Sequence, residues 1–193
     1  MTINRKNLLL LLVAAGLFSG CTKDAMTPSA AGLNSSGTIV EAPTFTETDL
    51  VGTWKLVSMR SNIPVDLNFD QTSSTNILSE TTCFDPMYFT FDASGEVTTG
   101  QAKLDFGENG NKFECGYGEY SARWELNGNE LLIHFNLNGT AMSQVKSINL
   151  TNDTSGVFLH ISLEDQEAAQ YVDDPGNTVA SNVERIETVY KKQ

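Results

Sequence analysis

The sequence predicts an all-β fold, an eight-stranded antiparallel up-and-down barrel preceded by an export signal and a flexible tether. Three observations lead to this prediction. Beyond residue 45 the 193-residue chain contains eight short apolar or alternating segments, none has a long helical period, and turn sequences rich in Asn, Asp and Gly separate them. Successive hairpins form a meander, and eight antiparallel strands can close on themselves and leave no exposed edge.

The N-terminal residues have the composition of a signal peptide. Arg5 and Lys6 precede an apolar stretch over residues 8–17, and small residues then lead to Cys21. The apolar stretch is shorter than the roughly 20 residues that a membrane-spanning helix needs. We therefore predict a removable signal over residues 1–20.

The segment Leu17-Phe18-Ser19-Gly20-Cys21 resembles the lipobox of bacterial lipoproteins, although Phe18 stands where leucine is usual. The resemblance implies a cysteine that carries acyl chains such as palmitate, and a signal cut just before it. An ordinary secretory signal with a fortuitous cysteine is the alternative. Two or three acyl chains, at about 0.8 kcal/mol per buried CH₂, anchor a protein stably. Thr22-Lys23-Asp24 is similar to the tags that direct lipoproteins of some Gram-negative bacteria to the outer face of the outer membrane.

After Cys21 the composition is that of a linker. Ser, Thr, Ala, Gly, Asn and Pro dominate, so we expect the lipidated cysteine and a flexible tether over residues 21–44 and a barrel domain over residues 45–193. The formal net charge is −12, and removal of residues 1–20 makes it −14. Without a run of Lys or Arg, nucleic acid and anionic lipid surfaces are excluded as partners of the domain.

The elements of the domain follow in order. Thr46 is predicted to cap a helical turn over residues 47–50 that leads directly into the first strand. Connections at residues 92–95, 127–129 and 152–156 have hairpin length and supply Gly or Asn for positive φ. The predicted strands are Thr53–Met59, Met87–Phe91, Val97–Leu104, Tyr120–Leu126, Leu131–Leu137, Gln144–Leu150, Val157–Leu163 and Val183–Tyr190.

Strand alternation gives the barrel an inner face. The interior of an eight-stranded barrel is filled by side chains or holds one small ligand. The candidate lumen residues are Phe89, Phe91, Ala122, Trp124, Leu131, Ile133, Phe135, Leu159 and Ile161.

The segment Gly52-Thr53-Trp54, placed after a helical turn at the start of the meander, resembles the Gly-x-Trp signature of lipocalins. Together with residues 91–95, Cys115, 124–129 and 131–133, it is similar to the lipocalin-like domain of small bacterial lipoproteins. The resemblance implies that Gly52 and Trp54 form the closed base of the barrel, with an arginine of the last strand over the tryptophan ring. Arg185 is the candidate for this cation–π contact. Without the family, Trp54 is simply a large core residue.

Two cysteines remain once Cys21 is lipidated. Cys83 and Cys115 form an even pair, which in an oxidising compartment predicts a disulfide. The bridge closes a loop of 33 residues, worth about 3–4 kcal/mol in the chain-entropy model. No Cys-x-x-Cys pair is present, so a redox role is not expected.

The series Asp66, Asn68 and Asp70 resembles the start of a calcium loop. Gln71 occupies the position that needs glycine, and Ile77 occupies that of the bidentate carboxylate. A polar loop with Asx turns is the alternative, and calcium is the only cofactor that the sequence brings into consideration.

No catalytic constellation is apparent. A nucleophile elbow, zinc motif, phosphate loop and dinucleotide fingerprint are all missing from the sequence, so we expect no enzymatic activity. His134 and His160 belong to strands separated by one other strand and are predicted to be solvated on the outer face. Residues 165–182 interrupt the last hairpin, and they either gate the barrel or form a surface insertion.

The sequence therefore favours a lipid-anchored envelope binding protein that holds a small apolar or amphipathic molecule in the open end of its barrel. The alternative is an interaction protein with a filled barrel whose loops bind a surface glycan or an envelope protein. A cavity larger than about 300 Å³ would favour the small ligand.

Overall fold

The computed structural model describes residues 45–107, 112–137, 139–164, 166–174, 176 and 178–193. The predicted signal, Cys21 and the tether over residues 21–44 lie outside the described residues. In the described part the strands are β1 (Gly52–Val65), β2 (Ser74–Asn76), β3 (Tyr88–Phe91), β4 (Glu96–Phe106), β5 (Phe113–Asn127), β6 (Glu130–Leu137), β7 (Thr140–Asp153), β8 (Gly156–Glu164), β9 (Val172–Asp173) and β10 (Arg185–Lys192), and the helices are α1 (Glu47–Leu50), α2 (Ile77–Glu80) and α3 (Ala168–Tyr171).

Eight of the described strands form a closed antiparallel barrel, as predicted. The hydrogen-bonded order runs β10-β8-β7-β6-β5-β4-β3-β1, and β10 also pairs with β1, which closes the ring. The two short strands lie outside this ring. β2 pairs with the end of β1, and β9 pairs in parallel with β4.

The barrel has two different ends. At the lower end lie α1 and the tight turns after β3, β5 and β7. At the upper end lie the long connections from β1 to β3 and from β8 to β10, and these hold all the elements that the sequence did not predict: β2, α2, α3 and β9. Such elements of two to four residues are too short to produce a periodic signal.

Helix α1 has the predicted position and the predicted N-cap, Thr46, which forms a capping box with Asp49. The carboxylate of Asp49 accepts hydrogen bonds from the backbone N–H of Thr46 at 2.7 Å and from its hydroxyl at 2.8 Å. These two hydrogen bonds lower the pKa of Asp49. The acidic residue therefore stabilises the start of the helix, where a negative charge also interacts favourably with the helix dipole.

Strand β5 is the largest departure in length. The sequence predicted Tyr120–Leu126, whereas the strand runs over Phe113–Asn127. In the part of β5 that was not predicted, apolar and polar residues do not alternate regularly. Most side chains from Glu114 to Ser121 are exposed, whichever face of the strand they lie on. Period-two hydrophobicity identifies a strand only where one face is buried.

The predicted Cys83–Cys115 disulfide is confirmed. It links the connection between α2 and β3 to the upper half of β5. Buried Phe84, Met87 and Leu104 belong to the same continuous core as the barrel interior. No helix among the described residues is long and apolar enough to cross a membrane.

Candidate functional site

The lower half of the barrel interior is filled by aromatic side chains. The rings of Phe89 and Tyr190 pack edge to face with centroids 5.0 Å apart, and those of Phe91 and Trp124 do so at 5.2 Å. Phe89 and Phe91 stack at 5.6 Å. Leu131, Ile133, Leu159 and Ile161 are buried in the same core. Seven of the nine candidate lumen residues therefore lie in a packed interior.

The base is closed by Trp54, which is fully buried. Its indole N–H donates to the carbonyl of Leu50 at 2.6 Å, so the ring is fixed to the end of α1. Lys192 places its Nζ 5.3 Å from the ring centroid and donates to the carbonyl of Asp49 at 2.7 Å. A cation over the indole is thus present, but it comes from the end of β10.

The prediction of Arg185 over Trp54 is wrong. Arg185 begins β10 at the upper end and pairs with Glu164, whereas Lys192 pairs with Trp54 itself. The antiparallel register places the two ends of an eight-residue strand at opposite ends of the barrel. Gly52 has a φ of +128°, and a Cβ there would lie 3.0 Å from Cε of Lys192. The signature glycine therefore leaves room for the lysine.

The upper end is crossed by a segment that we call the strap, residues 166–173, which contains α3 and β9. Glu167 forms an ion pair with Lys146 of β7 at 3.1 Å. Further along, the hydroxyl of Tyr171 donates to Gln101 of β4 at 3.0 Å, and Val172 pairs with Leu104. Since β4 and β7 are separated by β5 and β6, the strap spans the barrel. The strap therefore crosses the end of the barrel at which the sequence predicted an open ligand space.

Burial raises the pKa of two tyrosines, Tyr171 on the strap and Tyr190 on β10. Desolvation raises the pKa of Tyr190 well above its usual value, with a smaller contribution from Tyr171 nearby. Desolvation also raises the pKa of Tyr171, and the charge of Glu167 adds to it. Both phenols are therefore neutral hydrogen-bonding groups over the physiological pH range.

We expect Glu167→Gln to lower the free energy of unfolding by about 2–4 kcal/mol. Lys146 is only 6 % exposed, and it would lose its counter-charge inside the barrel. Lys146→Met should cost less, because Glu167 is 30 % exposed and can be solvated. Urea denaturation of the two variants measures the difference. Equal losses of unfolding free energy in the two variants would contradict a stabilising ion pair between the strap and β7.

A cleft opens in the barrel wall where β5 and β6 separate. Strand pairing between them runs only from Arg123 opposite His134 down to Asn127 opposite Glu130. Above this point the upper part of β5 pairs with β4 and the upper part of β6 pairs with β7. We call the point where the two strands separate, above Arg123 and His134, the fork. A cavity of about 500 Å³ lies there, and it is lined by Glu96, Val97, Thr98, Ser121, Ala122, Arg123, His134, Phe135, Asn136, Ala141, Met142 and Ser143.

The cleft combines an apolar floor with a polar rim. Val97, Ala122, Phe135 and Met142 alternate with outward-facing neighbours and so point toward the interior. Arg123 lies on the rim and forms no ion pair with any described residue within 4.0 Å. The arrangement can accept an apolar body and place an anionic group beside a guanidinium.

His134 lies on the same rim. Its Nδ1 is 2.7 Å from the hydroxyl of Ser143, and its buried Nε2 has no hydrogen-bond partner among the described residues. His160 bonds the hydroxyl of Thr151 at 2.8 Å on the outer face of β8. The two histidines lie on strands separated by β7, as predicted, but the buried Nε2 of His134 departs from the predicted solvated side chain.

Sequence reasoning placed Ala122 and Phe135 among the lumen candidates, and the structure places both at the cleft. It missed Met142 because the predicted strand began only at Gln144. It missed Arg123 because an exposed arginine on a strand is ordinarily a solvated residue. Neither residue carries a local signal that distinguishes it from the rest of the surface.

The calcium-like loop is organised by Asx turns. The carboxylate of Asp66 accepts from the backbone N–H groups of Asp70 and Gln71 at 3.2 and 3.0 Å. Asn68 and Asp70 accept from the N–H groups of Asp70 and Thr72. Among the described residues, His, Cys, Asp and Glu form no group of three or more that could hold a metal. Calcium at this loop remains a prediction.

Comparison with known proteins assigns the chain to a family. A family model described as a lipocalin-like domain matches residues 50–154, from the end of α1 to the turn after β7. Neither a curated protein nor a solved structure matches the chain significantly.

Proposed function

We propose that this chain, which belongs to the lipocalin-like domain family, binds a small amphipathic molecule in the cleft between β5 and β6. Proteins of the family are generally binding proteins rather than enzymes. The observation that carries the proposal is the cavity of about 500 Å³ at the fork, which falls within the roughly 300–1,000 Å³ range of small-molecule sites.

The preferred ligand has an apolar chain and an anionic head, such as a fatty acid. Phe135, Met142 and Ala122 supply apolar surface, and methionine adapts readily to ligands of irregular shape. The guanidinium of Arg123, which has no ion-pair partner in the described part of the chain, would bind the head group. Because the strap covers the upper end, the ligand would reach its site through the wall of the barrel.

A fluorescent fatty acid such as cis-parinaric acid tests this proposal. We expect saturable binding to the mature domain, weakened at least about tenfold by Ala122→Trp, which fills the cleft. Val145→Trp is the matched control, because Val145 is 53 % exposed on neighbouring β7 and does not line the cleft. Its affinity should stay within about twofold of that of the unmodified domain.

The same assay tests separately whether Arg123 binds the head group of the ligand. Arg123→Gln should weaken the acid but leave the affinity of its methyl ester nearly unchanged. If Ala122→Trp binds the acid as well as the unmodified domain does, the cleft is not the site. Equal losses for acid and ester in Arg123→Gln would remove the guanidinium from head-group recognition.

We further propose that the protein is anchored by acyl chains on Cys21 to the outer membrane of a Gram-negative bacterium and is exposed on the cell surface. The lipobox resemblance supports the anchor. Metabolic labelling with an alkynyl palmitate should mark the protein, and Cys21→Ser should abolish the label and release the protein into the soluble fraction. Retained label in Cys21→Ser would exclude this cysteine as the attachment site.

A second candidate is glycan binding on the outer face. Tyr117 is about half exposed on the upper part of β5, which pairs with β4 but not with β6, and Glu119 accepts hydrogen bonds from the hydroxyls of Tyr88 and Tyr117 at 3.0 and 3.2 Å. An exposed aromatic ring beside a carboxylate suits a sugar ring. Failure of every apolar probe to bind would favour this second function.

A further inference from the structure

A second, smaller cavity lies on the outer face of the barrel, near the upper ends of β1 and β10. Its volume is about 210 Å³, and it is lined by Arg60, Ser61, Asn62, Thr75, Arg185 and Glu187. Every lining residue is polar or charged. The cavity is four strands away from the cleft around the barrel, so it is a separate site.

The positive charge here is unusual for this chain. Residues 45–193 contain three arginines, and two of them, Arg60 and Arg185, line this one cavity. The third is Arg123 at the cleft. In a chain with twice as many acidic as basic residues, two arginines lining one cavity create a local positive region.

Both guanidinium groups retain unused donors. Arg60 donates through Nη2 to the hydroxyl of Thr75 at 2.9 Å and forms no ion pair with a described carboxylate. Nε of Arg185 is 3.9 Å from the carboxylate of Glu187, which is beyond hydrogen-bond distance. Since each guanidinium carries five N–H donors, most of these donors have no acceptor among the residues that the structure describes and are available to a ligand.

The scaffold that holds the two arginines is regular. Arg60 lies directly opposite Glu187 in the pairing of β1 with β10. The side-chain oxygen of Asn62 accepts from the backbone N–H groups of Glu184 and Arg185 at 3.1 and 3.2 Å, which fixes the start of β10. Sites built on paired strands position their side chains better than sites on loops.

We propose that this cavity binds an oxyanion with three or more oxygen atoms, a phosphate or sulfate group. Guanidinium groups from two strands can engage different oxygens of one such group, which offers more acceptor oxygens than the two of a carboxylate. Glu187 offsets one of the two positive charges, which limits the affinity. The group could arrive as a free ion or as a substituent of a larger molecule, and the chemistry of recognition is the same.

Titration of the mature chain with inorganic phosphate, followed by amide chemical shifts, tests the inference. We expect saturable shifts at residues 60–62 and 185–187, and weaker binding of acetate. Arg60→Gln and Arg185→Gln should each weaken phosphate at least about tenfold, and Glu187→Gln should tighten it several-fold. Lys55→Gln is the matched control, because Lys55 is an exposed cation on the same strand and lies outside the cavity.

Arg60→Lys separates recognition by the planar guanidinium from recognition by charge alone, and we expect it to bind phosphate more weakly than the unmodified chain does. Tighter binding of glucose 6-phosphate than of inorganic phosphate would identify a phosphorylated molecule as the natural source, and equal binding would identify the free ion. The proposal is overturned if phosphate produces no saturable shift, or if Lys55→Gln weakens binding as much as Arg60→Gln. Neither result depends on fatty-acid binding at the cleft.

Discussion

Replacement of Trp54 by alanine should lower the free energy of unfolding by about 3–5 kcal/mol, the range for removing a large aromatic side chain from a packed core. The side chain is fully buried at the base. Its loss would leave a cavity and would also leave the carbonyl of Leu50 without its 2.6 Å hydrogen bond. Lys192 would lose the ring beneath its ammonium group. Equilibrium urea denaturation, followed by far-ultraviolet circular dichroism, measures the change.

Two further variants make the Trp54 prediction specific. Trp54→Phe keeps an aromatic ring but has no N–H, so its loss should be smaller than that of the alanine variant. Val57→Ala lies on the same strand with its side chain 45 % exposed, and it should change stability by no more than about 0.5 kcal/mol. A loss below about 1 kcal/mol for Trp54→Ala would contradict the assignment of this residue to a closed base.

Removing the disulfide by the double substitution Cys83→Ala and Cys115→Ala should cost about 3–4 kcal/mol of folding stability. The bridge joins positions separated by 32 residues, and its absence returns that loop entropy to the unfolded chain. For a domain of this size the midpoint of thermal unfolding should fall by about 10 °C. Differential scanning calorimetry of oxidised protein and variant gives this shift directly.

Reductant supplies the control for the disulfide. It should lower the melting midpoint of the unmodified domain nearly to that of the double variant, and it should leave the variant unchanged. If the midpoint of the unmodified domain does not move under reducing conditions in which both thiols are shown to be free, the bridge does not stabilise the fold.

The barrel itself could be predicted from the sequence because its strands alternate. Leu131 and Ile133 on β6, and Leu159 and Ile161 on β8, repeat every second residue, and all four are buried. The disulfide could be predicted because two cysteines remain once Cys21 is assigned to the lipid anchor. The position of the tryptophan followed from Gly52 and Trp54, whose spacing is typical of the start of such a barrel. These features depend on local residue order.

The candidate site could not be predicted because it depends on pairing between strands. Nothing in the residues of β5 or β6 indicates that their hydrogen bonds stop at Arg123 and His134. Lys146 presents a similar difficulty. A lysine in a strand predicts a solvated face, whereas here Glu167, 21 residues later, allows it to be buried. Long-range partners of this kind are invisible to periodicity.

The strap and the fork are the two features on which the proposed ligand position depends. The strap crosses the upper end, the aromatic core fills the lower half, and the cleft lies in the wall between β5 and β6. This differs from the open-ended barrel that the sequence favoured. The proposed class of ligand is the one that the sequence favoured, but the proposed site lies in the barrel wall and not at the open end.

Photo-crosslinking with a fatty acid that carries a diazirine in the middle of its chain tests this position most directly. After irradiation and digestion, the modification should map to peptides that contain residues 121–123, 134–136 and 141–143, and it should be lost in Ala122→Trp. Modification concentrated on the strap, residues 166–173, or on α2 would place the ligand at the upper end of the barrel and would contradict binding at the fork.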